Sequence, residues 1–155
     1  MNRQNLFADG PWDVENDENG LRHRIFWRPA GRSDGMGASL WELKPGATGM
    51  KWHMHYPGEE MFFVISGRPL FRTPAGEEEL APGDFVFCPR GRAGLHAYSN
   101  PQDEPARVLG IGYGTFPDVV AYPEHGYAWV ATRDPELPAD PTDPGIIQRF
   151  DFRME

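Results

Sequence analysis

Two histidines one residue apart, in the stretch HMHYPGEEMFFVISG (53–67), are the side chains of this sequence best suited to chemistry. On a β-strand, residues i and i+2 point to the same face, so the Cα atoms of His53 and His55 are expected about 6.6 Å apart with both imidazoles on one side. Two imidazoles can bind one ion at about 2.1 Å. A carboxylate facing the same point would complete a site for a divalent metal.

The residues after the histidines offer that carboxylate. Pro57 and Gly58 predict a type II turn, in which proline presets φ and glycine adopts a positive φ. The chain would then return beside the histidine strand, with Glu59 and Glu60 at the start of the next strand. Both parities of that strand are apolar, so the residues alone leave Glu59 and Glu60 as alternative ligands.

The elements that must position these residues are short strands. Apolar runs separated by glycine and proline recur along the chain, which has 18 Gly and 16 Pro, and a helical pattern is almost absent. Eight close, regularly spaced strands predict an all-β sandwich or barrel. The predicted strands are Leu21–Trp27, Ala38–Leu43, Lys51–Tyr56, Met61–Ile65, Pro69–Thr73, Phe85–Cys88, Leu95–Ser99 and Arg107–Ile111.

The C-terminal part of the chain is patterned more loosely. Further strands are predicted at Asp118–Tyr122, Tyr127–Ala131 and Ile146–Phe152, the last packing on its own barrel or on a neighbouring subunit. Asp134–Pro144 is acidic and proline-rich and predicts a connector without secondary structure.

Composition excludes several classes of protein. The 155 residues suit one domain, and the net charge of −8 without a basic cluster argues against nucleic acid as a partner. No run is long and apolar enough to predict a membrane span or a signal peptide. The one cysteine, Cys88, excludes a disulfide framework, suits a reducing compartment and is interpreted as a small buried apolar residue. A cytoplasmic domain is therefore expected.

Two motifs resemble those of the cupin superfamily, in particular its single-domain bacterial members. Residues 49–67 match Gly-x3-His-x-His-x4-Glu-x6-Gly, and GDFVFCPRGRAGLHAYSN (83–100) resembles the second cupin motif, with two extra residues before His96. The resemblance implies a double-stranded β-helix, or jelly-roll barrel, with its core at about residues 38–112. Residues 1–155 are expected to form a single cupin domain in which N- and C-terminal extensions add strands.

The same resemblance implies the metal site. It selects Glu60 over Glu59 and gives one divalent ion held by His53, His55, Glu60 and His96. Iron, manganese, nickel, zinc and copper all accept such a set. Four protein ligands on an octahedral ion leave two positions free, which predicts a metal-dependent enzyme: an oxygenase such as a dioxygenase, an isomerase or a lyase. The alternative is a non-catalytic module that binds or senses a small molecule.

The expected substrate is a small carbonyl- or carboxylate-bearing compound. The pocket lining is predicted to be mostly aromatic, which disfavours a highly hydroxylated sugar; its candidates are Phe62, Val64, Phe85, Phe87 and Tyr98, with Trp41, Met50 or Tyr113 depending on strand parity. Tyr98 shares a face with His96 and is the candidate catalytic proton donor, the alternative being a packing role alone. The many aromatic residues predict a homodimer covered by the terminal segments, including Ile146–Phe152.

Overall fold

The computed structural model describes residues 3–27, 35–115, 117–131 and 146–151, and within these residues the chain is built from β-strands and two short 3₁₀ turns, Gly91–Gly94 and Pro123–His125. The strands are β1 (Val14–Asn16), β2 (Leu21–Trp27), β3 (Gly35–Leu43), β4 (Met50–His55), β5 (Glu59–Ser66), β6 (Leu70–Thr73), β7 (Gly76–Glu79), β8 (Phe85–Cys88), β9 (His96–Ser99), β10 (Ala106–Gly114), β11 (Asp118–Tyr122), β12 (Tyr127–Ala131) and β13 (Ile146–Asp151).

The strands form two antiparallel sheets. The first sheet has the order β1-β2-β3-β10-β5-β8, and the second has the order β13-β12-β11-β4-β9-β6-β7. Between β3 and β11 the chain crosses from one sheet to the other at each step except from β6 to β7. The predicted double-stranded β-helix, a jelly-roll barrel, is confirmed.

The predicted strand positions agree closely with the structure. β2, β8, β11 and β12 begin and end at the predicted residues, whereas β3, β5 and β10 are longer than predicted. β1 was missed because its three residues have no apolar alternation. The final strand is present as β13 and pairs with β12 of its own chain. The predicted connector Asp134–Pro144 lies outside the described residues.

The core lies between the inward faces of the two sheets. Alternation along each strand sends one set of side chains inward, and this set is apolar at the centre of the barrel. The buried core includes Leu43, Phe62, Val64, Phe71, Tyr98 and Val108. No helix in the described part of the chain is long and apolar enough to cross a membrane.

Candidate metal centre

Three imidazoles lie together on the inner face of the second sheet. His53 and His55 occupy alternate positions on β4, and the register of β4 with β9 places His53 directly opposite His96. The ring centroids of His53 and His96 are 4.3 Å apart, and those of His53 and His55 are 5.3 Å apart. The predicted shared face of the two β4 histidines is therefore present.

Glu60 reaches the imidazoles from the other sheet. β4 pairs with β9 and β11, whereas β5 pairs with β8 and β10, so the predicted return of the chain beside the histidine strand is wrong. The predicted positive φ at Gly58 is also wrong. Space favours glycine there, because an added Cβ would lie 3.3 Å from both the Cβ of His55 and the carbonyl oxygen of Tyr113, a close contact.

Each imidazole is held through its Nδ1 atom. His53 Nδ1 lies 2.7 Å from the carbonyl oxygen of Lys51, and His96 Nδ1 lies 2.8 Å from that of Gly94. His55 Nδ1 lies 2.8 Å from Oδ2 of Asp118. These oxygens accept hydrogen bonds, so each Nδ1 carries the proton and donates it.

The three Nε2 atoms consequently face one carboxylate oxygen. Oε2 of Glu60 lies 3.2 Å from Nε2 of His96, 3.3 Å from that of His55 and 3.9 Å from that of His53. The ligand atoms of His53, Glu60 and His96 all lie within 4.8 Å of one another, so this cluster could hold a metal ion. The structure brings His55 to the same carboxylate.

Two of these atoms have no hydrogen-bond partner. Oε2 of Glu60 and Nε2 of His96 are both buried and make no hydrogen bond of acceptable geometry. Buried polar atoms normally have a partner because leaving one unpaired is costly. Imidazole nitrogens and a carboxylate oxygen are ligands that divalent transition metals accept, so the residues present fit a bound ion.

The charges of the metal-free cluster follow from its burial and close spacing. Burial alone would raise the pKa of Glu60, but the imidazoles of His55 and His96 outweigh it and hold that pKa well below its usual range. Burial would lower the pKa of His55, yet Glu60 and Asp118 raise it to about 10. Burial and the neighbouring His96 lower the pKa of His53 to about 3.

Comparison with known proteins agrees with this arrangement. The family model described as "Cupin domain" matches residues 39–112, the segment that contains His53, His55, Glu60 and His96. The chain therefore contains a cupin-type domain. No curated protein matches this cupin.

Several solved structures resemble this cupin. One from Silicibacter pomeroyi, described as a sugar phosphate isomerase from a cupin superfamily, has a TM-score of 0.71 and 21% identity and covers 96% of this chain and 88% of its own. One from Acidithiobacillus ferrooxidans, described provisionally as a sugar phosphate isomerase, has a TM-score of 0.61 and 29% identity over 76% of this chain and 67% of its own. The DMSP lyase DddQ from Ruegeria pomeroyi has a TM-score of 0.55 and 24% identity over 71% of this chain and 55% of its own.

The predicted pocket lining is partly wrong. Phe62, Val64 and Tyr98 point inward and are buried, but Phe85 and Phe87 are 56% and 52% exposed. Val86 and Cys88, at the other parity of β8, pack on the core instead. Tyr113 is exposed, while Trp41 and Met50 are partly buried against the core.

Tyr98 occupies the inner face of β9, as its spacing from His96 predicts. Its side chain is 2% exposed and packs against the rings of Phe62, Phe71 and Trp41. Burial and then the carboxylate of Glu60 raise the pKa of Tyr98 well above its usual value, so the phenol keeps its proton at neutral pH.

Two residues at the cluster were missed in the sequence analysis, and both lie on β11. The register of β11 with β4 places Val120 opposite His55, so Asp118 and Tyr122, two residues to either side of Val120, share its face. Asp118 contacts His55, and Tyr122 stacks on the ring of His53. The sequence predicted the strand correctly but contained no signal for its partner.

The described residues also contain a cavity of about 180 Å³ away from the histidines. It lies beside the β6–β7 hairpin, and Phe71 is the lining residue that also stacks on His96, with 6.0 Å between ring centroids. The other lining side chains are Thr73, Ala75, Glu77, Glu78, Leu80 and Val86. None of these lining residues carries an imidazole or a thiol.

Proposed function

We propose that this cupin is a metal-dependent enzyme that acts on a small carbonyl- or carboxylate-bearing compound. The observation that carries the proposal is the convergence of three Nε2 atoms on Oε2 of Glu60, which is buried and unpartnered. Buried polar atoms that serve only the fold normally make hydrogen bonds of acceptable geometry.

His53, His55, Glu60 and His96 would hold the ion. The Nδ1 contact of each imidazole leaves its Nε2 available as a ligand, and Glu60 supplies the negative charge. A bound divalent ion supplies Lewis acidity, which stabilises negative charge on a substrate oxygen. Iron, manganese, nickel, zinc and copper all accept this ligand set.

The remaining roles belong to side chains of the chain itself. Tyr98 is proposed as the proton donor, because it lies two residues after His96 on the inner face of β9 and its buried phenol is protonated at neutral pH. The ring of Phe62 lies 5.0 Å from that of His96, measured between centroids, and Tyr122 lies beside His53. These apolar and aromatic neighbours would exclude water from the reacting groups.

The reaction class is proposed from the same features. Similar structures are described as sugar phosphate isomerases and a DMSP lyase. Isomerisation of a carbonyl compound and elimination beside a carboxylate both need a proton moved next to an oxygen that gains negative charge. The ligand set also suits a dioxygenase. We propose this as a second reaction class because the apolar surroundings of the site contain few groups that would bind the hydroxyls of a sugar phosphate.

The proposed domain is the whole chain, residues 1–155. Residues 38–112 supply the four ligands, and the extensions add strands to both sheets. Asp118, beyond the matched segment, contacts His55 within it. This contact supports a single unit in which the C-terminal extension contributes to the site.

We also propose that this cupin is a homodimer. The outer face of the first sheet carries apolar side chains on neighbouring strands in register: exposed Phe63 lies opposite exposed Phe85, and half-buried Met61 lies opposite exposed Phe87. Five of the seven large exposed hydrophobic residues among the described residues lie on this outer apolar face, namely Met36, Phe63, Phe85, Phe87 and Tyr113. A patch of this kind is typical of an interaction site, and a second copy would cover it.

The decisive experiment is a substrate panel on protein loaded with iron, manganese or zinc. The panel contains 2-oxo acids, diketones, catechols and sugar phosphates, and each is assayed for oxygen uptake, for deuterium incorporation from heavy water and for a thermal shift. Deuterium incorporation or elimination supports the isomerase or lyase class, and oxygen uptake with iron supports a dioxygenase. Binding without turnover would replace the enzyme with a sensing module, and a protein that binds no metal would refute the proposal.

A further inference from the structure

The three imidazoles differ in what holds their Nδ1 atoms. His53 and His96 donate to backbone carbonyl oxygens, which any residue at the accepting position would supply. His55 donates to a side chain, Asp118 Oδ2, at 2.8 Å. His55 is therefore the imidazole whose orientation depends on the identity of another residue.

Asp118 reaches His55 from outside the matched cupin segment. It is the first residue of β11, which pairs with β4 next to the histidines, with Val120 opposite His55 and Ala121 opposite Met54. A further contact holds the two strands together, since the backbone N–H of Tyr56 donates to the carbonyl oxygen of Val119 at 3.0 Å. The side chain of Asp118 is thus placed by the sheet and not by a loose loop.

The other carboxylate oxygen of Asp118, Oδ1, is buried and meets no hydrogen-bond donor in the part of the chain that the structure describes. Burying a carboxylate with one oxygen unpaired costs stability. The hydrogen bond that Oδ2 accepts from His55 offsets part of this cost.

We infer that Asp118 is a positioning residue that fixes the ring of His55 and keeps the proton on its Nδ1, so that Nε2 remains free to bind the metal. A carboxylate that accepts the outer N–H of a ligating imidazole both orients the ring and makes its other nitrogen a better donor. The inference rests on the proposed metal site, and it gives the C-terminal extension a role in setting metal affinity.

The test compares four variants of the full chain, each checked for a cooperative thermal transition. Metal affinity is measured by competition between the protein and a coloured chelator for zinc. Asp118→Ala should weaken zinc binding by roughly 10- to 100-fold. Asp118→Asn, whose amide oxygen can still accept the Nδ1 proton, should recover part of that loss.

Glu124→Gln is the matched control, because it removes a nearby carboxylate that is exposed and pairs with Arg72 at 2.7 Å, away from the cluster. His55→Ala removes the ligand itself, so its loss of zinc affinity is the upper limit for the loss expected in Asp118→Ala. A wild-type affinity in Asp118→Ala, or an equal loss in Glu124→Gln, would overturn the inference.

A spectroscopic measurement separates positioning from general destabilisation. Long-range ¹H–¹⁵N spectra of zinc-loaded protein report which ring nitrogen of each histidine carries the proton. Asp118→Ala should alter the Nδ1–H signal of His55 and leave those of His53 and His96 in place; unchanged His55 signals would refute the positioning role. If the wild type binds no zinc, the proposed function fails, and the same spectra of the metal-free protein still test whether Asp118 holds His55.

Discussion

Tyr122 stacks on His53 with 5.6 Å between the ring centroids and 19° between the ring planes. The site therefore has a second buried phenol besides Tyr98. Burial and the neighbouring Tyr127 raise the pKa of Tyr122 well above its usual value, and burial also raises the pKa of Tyr98, so both phenols stay protonated at neutral pH.

Substitution of the two phenols should distinguish their roles. Tyr98→Phe should lower kcat about 100-fold once a substrate is known, the loss typical of a missing donor to a developing oxyanion. Tyr122→Phe keeps the ring that stacks on His53 and should have a smaller effect. Steady-state kinetics of both variants would check this, and the opposite ranking would transfer the role of donor to Tyr122.

The two adjacent glutamates should differ sharply in metal binding. Glu60→Gln removes the carboxylate on which the three imidazoles converge and should abolish metal retention, as should His96→Ala. Glu59→Gln should retain the metal, because Glu59 faces Arg90 at 3.4 Å and not the imidazoles. Elemental analysis of protein purified without chelators or nickel resin would measure this. Equal losses from Glu59→Gln and Glu60→Gln would show that the ligand is misassigned.

The metal-free protein should lose stability in alkali. Glu60 and Asp118 raise the pKa of His55 to about 10 from 6.5 against the effect of burial, and Cys88 and Glu60 raise that of His96 to about 9. Because the pKa values of His55 and His96 are raised in the folded state, these two imidazoles stabilise the folded protein fully below about pH 6.5. This stabilisation is lost as the pH rises through about 9 and 10.

Thermal unfolding over this pH range would measure the loss. Zinc-loaded protein should show a weaker dependence, because metal-bound imidazoles do not carry the titrating proton. Parallel pH profiles for the metal-free and zinc-loaded proteins would contradict the assignment of these protons to the cluster.

The homodimer should depend on the outer apolar face. Phe87→Glu places a charge on that face and should convert the dimer to a monomer in sedimentation velocity at micromolar concentration. Tyr56→Glu is the matched control, since Tyr56 is 54% exposed but follows β4 in the other sheet. A wild-type monomer, or a dimer that persists in Phe87→Glu, would contradict this interface.

The sequence predicted the strands and the ligand types because both are local signals. Alternation placed His53 and His55 on one face, and the spacing of the two cupin motifs selected Glu60 and His96. Alternation could not decide which face of β8 points inward, because Phe85 and Phe87 at one parity and Val86 and Cys88 at the other are all apolar. The outward phenylalanines were consequently assigned to the pocket.

Asp118 was missed for a different physical reason. Its contact with His55 spans 63 residues and depends on β11 pairing with β4. Nothing in the local pattern of either strand identifies its partner. The path after Pro57 and Gly58 was similarly inferred as a hairpin because a Pro-Gly pair signals a turn but does not indicate whether the next strand stays in the same sheet.

The placement of Glu60 on one sheet and of the three histidines on the other has a mechanical consequence. An ion held by all four side chains would cross-link the two sheets of the barrel. The chain segment between the ligands Glu60 and His96, which includes β6, β7 and β8, would then form a closed loop. Separation of the sheets at this end would then require the ion to dissociate first. Amide hydrogen exchange in β4 and β5 should accordingly slow together when metal is bound, and the lifetime of the folded barrel would be set in part by how slowly it releases its metal.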